Sequence, residues 1–180
     1  ILYFHIVKKY HSPLSKKSKM KKTLLYTGGI ILIIFIALQF IHVNSAQNKT
    51  STSIDFLTAT NPPSEVAGLI KNGCYDCHSN TTEFPWYSKL APVSWMINTH
   101  ISEARENVNF SEWSSNDTED QIGMLQDCLD EIEGNEMPLA SYKLMHPKAR
   151  FKDNDKAILT DWINNYIKEH ETLPGKADEN

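Results

Sequence analysis

The feature that most limits what this chain can become is Leu24 to Ile41, LLYTGGIILIIFIALQFI, 18 residues without a charge. As an α-helix rising about 1.5 Å per residue it spans roughly 27 Å, close to the hydrocarbon thickness of a bilayer. Lys8, Lys9, Lys16, Lys17, Lys19, Lys21 and Lys22 all lie on its N-terminal side, and no acid precedes Asp55. Basic flanks stay on the cytoplasmic side, so the N-terminus is expected inside and everything after His42 outside. Two fates remain open, an uncleaved anchor and a signal peptide starting at Met20-Lys21-Lys22. The anchor is preferred: the apolar run exceeds the roughly 7 to 15 residues of a signal peptide, and Val43-Asn44-Ser45-Ala46 is a poor cleavage site. A buried core helix fits badly with lysines at its entrance and no charge from Thr23 to Asn48.

The remaining length suits one domain with a real core. From residue 23 onward 11 bases face 22 acids, a net of −11. That balance would repel phosphates, which excludes nucleic acid as the main partner and leaves residues 24–41 as the membrane contact. The organisation expected is a basic cytoplasmic segment at 1–23, the anchor or signal at 24–41, a polar Ser/Thr-rich linker at 42–61, a domain at 62–170 and a tail at 171–180.

Within the domain the periodicity is helical. Pro63 and Ser64 open a short helix with Val66, Leu69 and Ile70 on one face and Gly73 as its stop. Pro92 starts a second, whose stripe of Val93, Ile97, His100, Ile101, Ala104 and Val108 contains a histidine. A third runs from Asp117 to Glu133 with Ile122, Leu125, Leu129 and Ile132 inward. Met137 to Phe151, broken by Pro138 and Pro147, reads as irregular. A last helix from about Asp153 carries Leu159, Trp162, Ile163, Tyr166 and Ile167. No alternating strand pattern or internal repeat is visible, so the fold class is mostly α.

Cys74-Tyr75-Asp76-Cys77-His78 is the specific chemical signal, because C-x-x-C-H is the attachment sequence for c-type haem. Two thiols three residues apart at a helix start can each add to one vinyl group, and the adjacent imidazole is then held under the iron. The rivals are weaker. A zinc site lacks a second ligand pair, since only Cys128 and scattered histidines remain. A thioredoxin-type dithiol lacks its βαβ context, and a plain disulfide leaves His78 unexplained. The cofactor expected is therefore haem c, covalent, one per chain.

A sixth iron ligand has several candidates. Met137, before Pro138 and between the last two long helices, offers a thioether, which raises the potential as suits an electron carrier. His100 and His146 are the rival ligands, with a core histidine and a loop or propionate contact as their ordinary roles. Met96, Met124 and Met145 read as apolar filler, and Cys128 as a small buried residue. Trp86, Tyr87, Trp95 and Trp113 are expected to line the haem crevice, and Arg105 to lie on the surface or against a propionate.

Further residues sharpen the picture. The run Cys74 to Asn80, then Pro85-Trp86-Tyr87-Ser88, Ala91-Pro92-Val93-Ser94-Trp95, His100, Ala104-Arg105, Asn109-Phe110-Ser111 with Trp113, Met137-Pro138, Tyr142, His146-Pro147 and Trp162 resembles the bacterial haem-binding domain family. The similarity covers about Pro62 to Tyr166, and Leu139 departs from it where many relatives carry a second proline. The resemblance implies an exported protein related in plan to monohaem cytochrome c, hence a cytochrome c-like helical haem domain, and implies haem binding with no particular substrate. The leading function is a membrane-tethered periplasmic cytochrome passing electrons to or from a redox partner protein that the sequence does not identify. The alternatives are a haem-based sensor or gas binder and, less favoured, a haem peroxidase using His100; an electron carrier has no catalytic residue of its own.

Overall fold

The computed structural model describes residues 13–41 and 53–171. The expected cleavage site near Ala46, most of the basic segment and nearly all of the tail lie outside the described residues. Among the described residues eight α-helices follow in order: α1 Pro13–Leu38, α2 Phe56–Thr60, α3 Ser64–Gly73, α4 Tyr75–His78, α5 Val93–Asn107, α6 Thr118–Glu133, α7 Ala140–Met145 and α8 Asp153–Glu171. Short 3-10 turns sit at Trp86–Lys89, Phe110–Ser115 and Pro147–Ala149. Among the described residues there is no strand, and the protein is mostly helical.

α1 is long and apolar enough to cross a membrane, and the protein buries none of its membrane-length window, Lys19–Leu38. It ends three residues short of the expected Ile41. The amides of Gln39, Phe40 and Ile41 bond back to the carbonyls of Ile36, Ala37 and Leu38, so the chain tightens into a turn there.

The domain helices begin and end for local reasons. Asp117 caps α6 by accepting from the Asp120 amide at 2.9 Å, and Glu119 and Asp120 place negative charge at its positive end. Asp155 reaches back to the Lys152 amide at 2.8 Å at the start of α8, while Lys168 and His170 occupy its last turn. α8 packs on α6 and on α3, and Leu125, Leu129, Ile132, Leu159, Ile163, Val66 and Ile70 are all buried in the one core these helices share.

The linker reading ends too late. Asp55 caps α2 and accepts from the Leu57 amide at 3.0 Å, and Phe56 is only 1 % exposed. Its ring meets Phe110 at 4.9 Å, Trp113 edge-on at 4.7 Å and Trp162 at 6.0 Å between centroids. One buried aromatic outweighs the polar neighbours Thr58 and Thr60 because burying such a side chain is worth about 1.5–3 kcal/mol. Likewise the segment from Met137 to Phe151 is less irregular than expected, since it contains α7 and a 3-10 turn.

Candidate functional site

α3 stops at Gly73, and Cys74 bends the chain with φ −121° and ψ −42° into the single turn of α4. The Cys74 carbonyl accepts from the amides of Cys77 at 3.1 Å and His78 at 2.8 Å. At about 100° per residue, positions 74, 77 and 78 fall on one side of this turn and positions 75 and 76 on the other. The first side opens on a cavity of about 600 Å³, lined by Cys74, Cys77 and His78 together with Met137, His100 and Cys128. Its aromatic wall is Phe56, Phe110, Tyr142 and Phe151, and Glu103, Asp127, Asp130 and Glu131 supply its charged lining.

Each donor is positioned by something specific. His78 Nδ1 lies 3.1 Å from the Val108 carbonyl oxygen, which only accepts, so Nδ1 carries the proton and Nε2 keeps its lone pair. Burial holds the His78 pKa below the ordinary histidine value, against the pull of the Val108 and Ala104 carbonyls, which favours the neutral, ligating form. The three cysteines are unbonded thiols. Burial raises the pKa of Cys74, with Cys128 and Cys77 adding to it. It pushes Cys77 up to about 11, with Asp76 adding and Arg105 opposing, and Cys128 up to about 12.

Met137 reaches the cavity through the way α6 ends. Asn135 adopts φ 64°, a left-handed conformation that asparagine tolerates, and the amides of Glu136 and Met137 both donate to the Glu131 carbonyl, at 3.0 and 3.1 Å. Lys156 donates to the Asn135 side chain from α8. Pro138 is buried and lines the same cavity.

The reverse side of α4 is polar. Tyr75 stacks on Phe110 with centroids 5.5 Å apart and donates to Asp55 at 2.8 Å. Asp76 accepts from Tyr142 at 2.7 Å and from the Glu83 amide at 3.0 Å. Beyond the motif, Ser79 is fully buried and Asn80 nearly so. The Asn80 amide donates to Ser111 at 3.0 Å, and Asn109 donates to the Asn80 side chain at 3.1 Å. The Asn-Phe-Ser segment thus grips the chain just after His78.

Several sequence expectations are placed and others corrected. Cys74, Cys77, His78, Met137 and His100 come together on one cavity, whereas His146 does not. Its ring stacks on Tyr142 at 3.9 Å, its Nδ1 lies 3.0 Å from the Tyr142 carbonyl oxygen, and it faces the second, polar cavity behind the motif. The crevice does not use Trp86, Tyr87, Trp95 or Trp113. Trp113 is core at 1 % exposure, Trp86 is on the surface at 74 %, and the turn at Trp86–Lys89 packs against α5 away from the cavity. Arg105 donates to the Ser79 carbonyl at 2.8 Å and to Thr82 at 2.9 Å, holding the loop after His78 and lying outside the cavity lining. Met96 and Met145 are exposed, and Met124 packs against the core.

Sequence reasoning missed Gly73 as more than a helix stop. A Cβ there would stand 2.4 Å from Phe151 Cζ and 3.2 Å from Pro138 Cγ, so only glycine lets both residues close on the motif. It also missed the Val108 carbonyl, for which no side-chain signal exists, and the anchoring roles of Asp55 and Tyr142.

No curated protein and no solved structure matches the chain. A family model described as a haem-binding domain matches residues 33–165, nearly three quarters of the sequence. With its cavity and donors in place, this chain belongs to the haem-binding domain family.

Proposed function

We propose that the protein is a membrane-tethered monohaem c-type cytochrome that carries electrons on the periplasmic side of a bacterial cytoplasmic membrane. One haem c per chain would be held through Cys74 and Cys77, with His78 and Met137 as the residues that would ligate its iron. The observation that carries this reading is the convergence of two thiols, an imidazole and a distant thioether on one cavity of about 600 Å³. The cavity lies within the usual range of cofactor sites, roughly 300–1,000 Å³, and its donors are the soft sulfur and imidazole groups that suit haem iron. Haem bound there supplies a reversible one-electron couple. The chain's own work is to orient His78 through Val108, present Met137 from the end of α6 and keep water off the site with Phe56, Phe110 and Phe151. The apolar α1 behind a cluster of lysines supports tethering with the domain outside.

A second reading has an observation of its own. His100 opens on the same cavity, and a site closed by a displaceable imidazole suits a sensor or gas binder.

A pyridine haemochrome spectrum with intact mass, after expression with haem-maturation machinery, tests attachment; a mass equal to the bare polypeptide rejects it. The oxidised protein is expected to show the weak red-edge band of sulfur-to-iron ligation and the reduced protein to bind carbon monoxide poorly. Met137→Ala should abolish that band, lower the potential and admit carbon monoxide. Loss of the low-spin spectrum in His100→Ala, with the band absent from the native protein, favours the second reading.

A further inference from the structure

We propose that the segment from Phe84 to Met96 is a second membrane contact, seated in the lipid interface of the bilayer that α1 enters. This rests on the tethered reading above and adds to it a fixed orientation of the domain. Eight large apolar side chains are exposed between residues 53 and 171, and five of them, Phe84, Trp86, Leu90, Val93 and Met96, fall within this short run. Scattered exposed apolar residues need no explanation, whereas a cluster of them does.

What covers the cluster follows from what it is fastened to. Gln39, at the end of α1, accepts from the Ala91 amide at 3.0 Å and donates to the Ala91 carbonyl at 3.1 Å. Trp95 donates through Nε1 to the Ile41 carbonyl at 3.4 Å. The middle of the cluster is therefore bonded to the point where the membrane helix stops, and the patch continues the apolar surface of α1.

The length of α1 agrees. Its uncharged helical part, Thr23 to Leu38, is 16 residues, or about 24 Å against a hydrocarbon core of about 30 Å. A short span draws its flanking surface toward the interface. The surface drawn in carries Trp86 and Tyr87, edge to face at 5.7 Å, the ring types that favour the headgroup level, and exposed Lys89, whose amine can reach lipid phosphate. No second protein is needed to cover it.

The test uses the full chain in nanodiscs of palmitoyl-oleoyl phosphatidylcholine. A photoreactive benzoylphenylalanine replaces Ile33 in α1, Trp86 in the patch or Leu144, which is 71 % exposed and outside it. After irradiation, intact mass is expected to show a one-lipid adduct from positions 33 and 86, at about tenfold the yield from 144, because interfacial binding follows buried apolar area. Adduct at 33, with position 86 no better than 144, overturns the second contact and leaves the tether standing. No adduct at 33 overturns the tether and this proposal with it. Adding Gln39→Ala to the position-86 probe should lower its yield severalfold while the position-33 yield stays; an unchanged yield at 86 overturns the fastening that sets the orientation.

Discussion

The two sides of α4 are built from opposite chemistry. Cys74, Cys77 and His78 face a cavity whose wall is largely apolar and aromatic, and behind the motif Gly73, Phe151 and Pro138 are in direct contact. Tyr75 and Asp76 face a half-exposed polar cleft, where they are held by hydrogen bonds to Asp55, Tyr142 and the Glu83 amide. The difference is one of tolerance. A packed wall resists any added atom, whereas a partly hydrated hydrogen bond can trade its partner for water at a net cost of only about 0.5–1.5 kcal/mol.

The contrast breaks most severely at Gly73→Ala. Alanine would gain up to about 1 kcal/mol from helix preference at the end of α3. The clash is larger: the new methyl meets two atoms of the rigid Phe151 ring, and Pro138 at 3.2 Å blocks escape. A net loss of about 1–2 kcal/mol in thermal or urea unfolding is expected from this overpacking. Pairing it with Phe151→Leu should cost less than the sum of the two single changes. Additive costs would mean that the contact does not limit the site.

On the polar side, Asp76→Asn removes the charged acceptor of Tyr142 and should cost about 1 kcal/mol, with the cavity donors undisturbed. A double-mutant cycle with Tyr142→Phe isolates the pair. A coupling near zero would show that the bond of 2.7 Å contributes no stability.

The smallest effect is in pH. The Tyr142 hydroxyl is raised above the ordinary tyrosine value first by burial and then by its bond to Asp76; Tyr75 is raised by burial and by Asp55. Folded tyrosines then hold protons that the unfolded chain releases near pH 10. Their contribution is complete below that pH and is lost as pH rises above it. The midpoint of thermal unfolding should fall above pH 10, and fall less steeply in a Tyr75→Phe, Tyr142→Phe double variant. Parallel curves would exclude these two residues as the cause.

What the sequence made legible was what is local. C-x-x-C-H places three donors on one face of a helical turn whatever the rest of the chain does, and α5, α6 and α8 follow from apolar spacing and caps. The partners of the reverse side were illegible because Asp55 and Tyr142 lie 20 residues before Tyr75 and 66 after Asp76. The aromatic wall was misassigned for a related reason. Trp86 and Trp113 differ nothing in type, and only the packing of α2 against the turn at Phe110–Ser115 decides that one is core and the other surface. Asp55 before Phe56 was a readable cap signal that the surrounding serines and threonines masked.

α5 makes a mechanical link between these observations. It starts two residues after Ala91, to which Gln39 is bonded, and its last turn hands the chain to Val108, whose carbonyl holds His78. Its 15 residues form a rod of about 22 Å. The carbonyl that orients the imidazole thus follows one end of a helix whose other end lies beside the fastening to α1, so a tilt of α5 against α1 would shift the hydrogen bond that sets the ring.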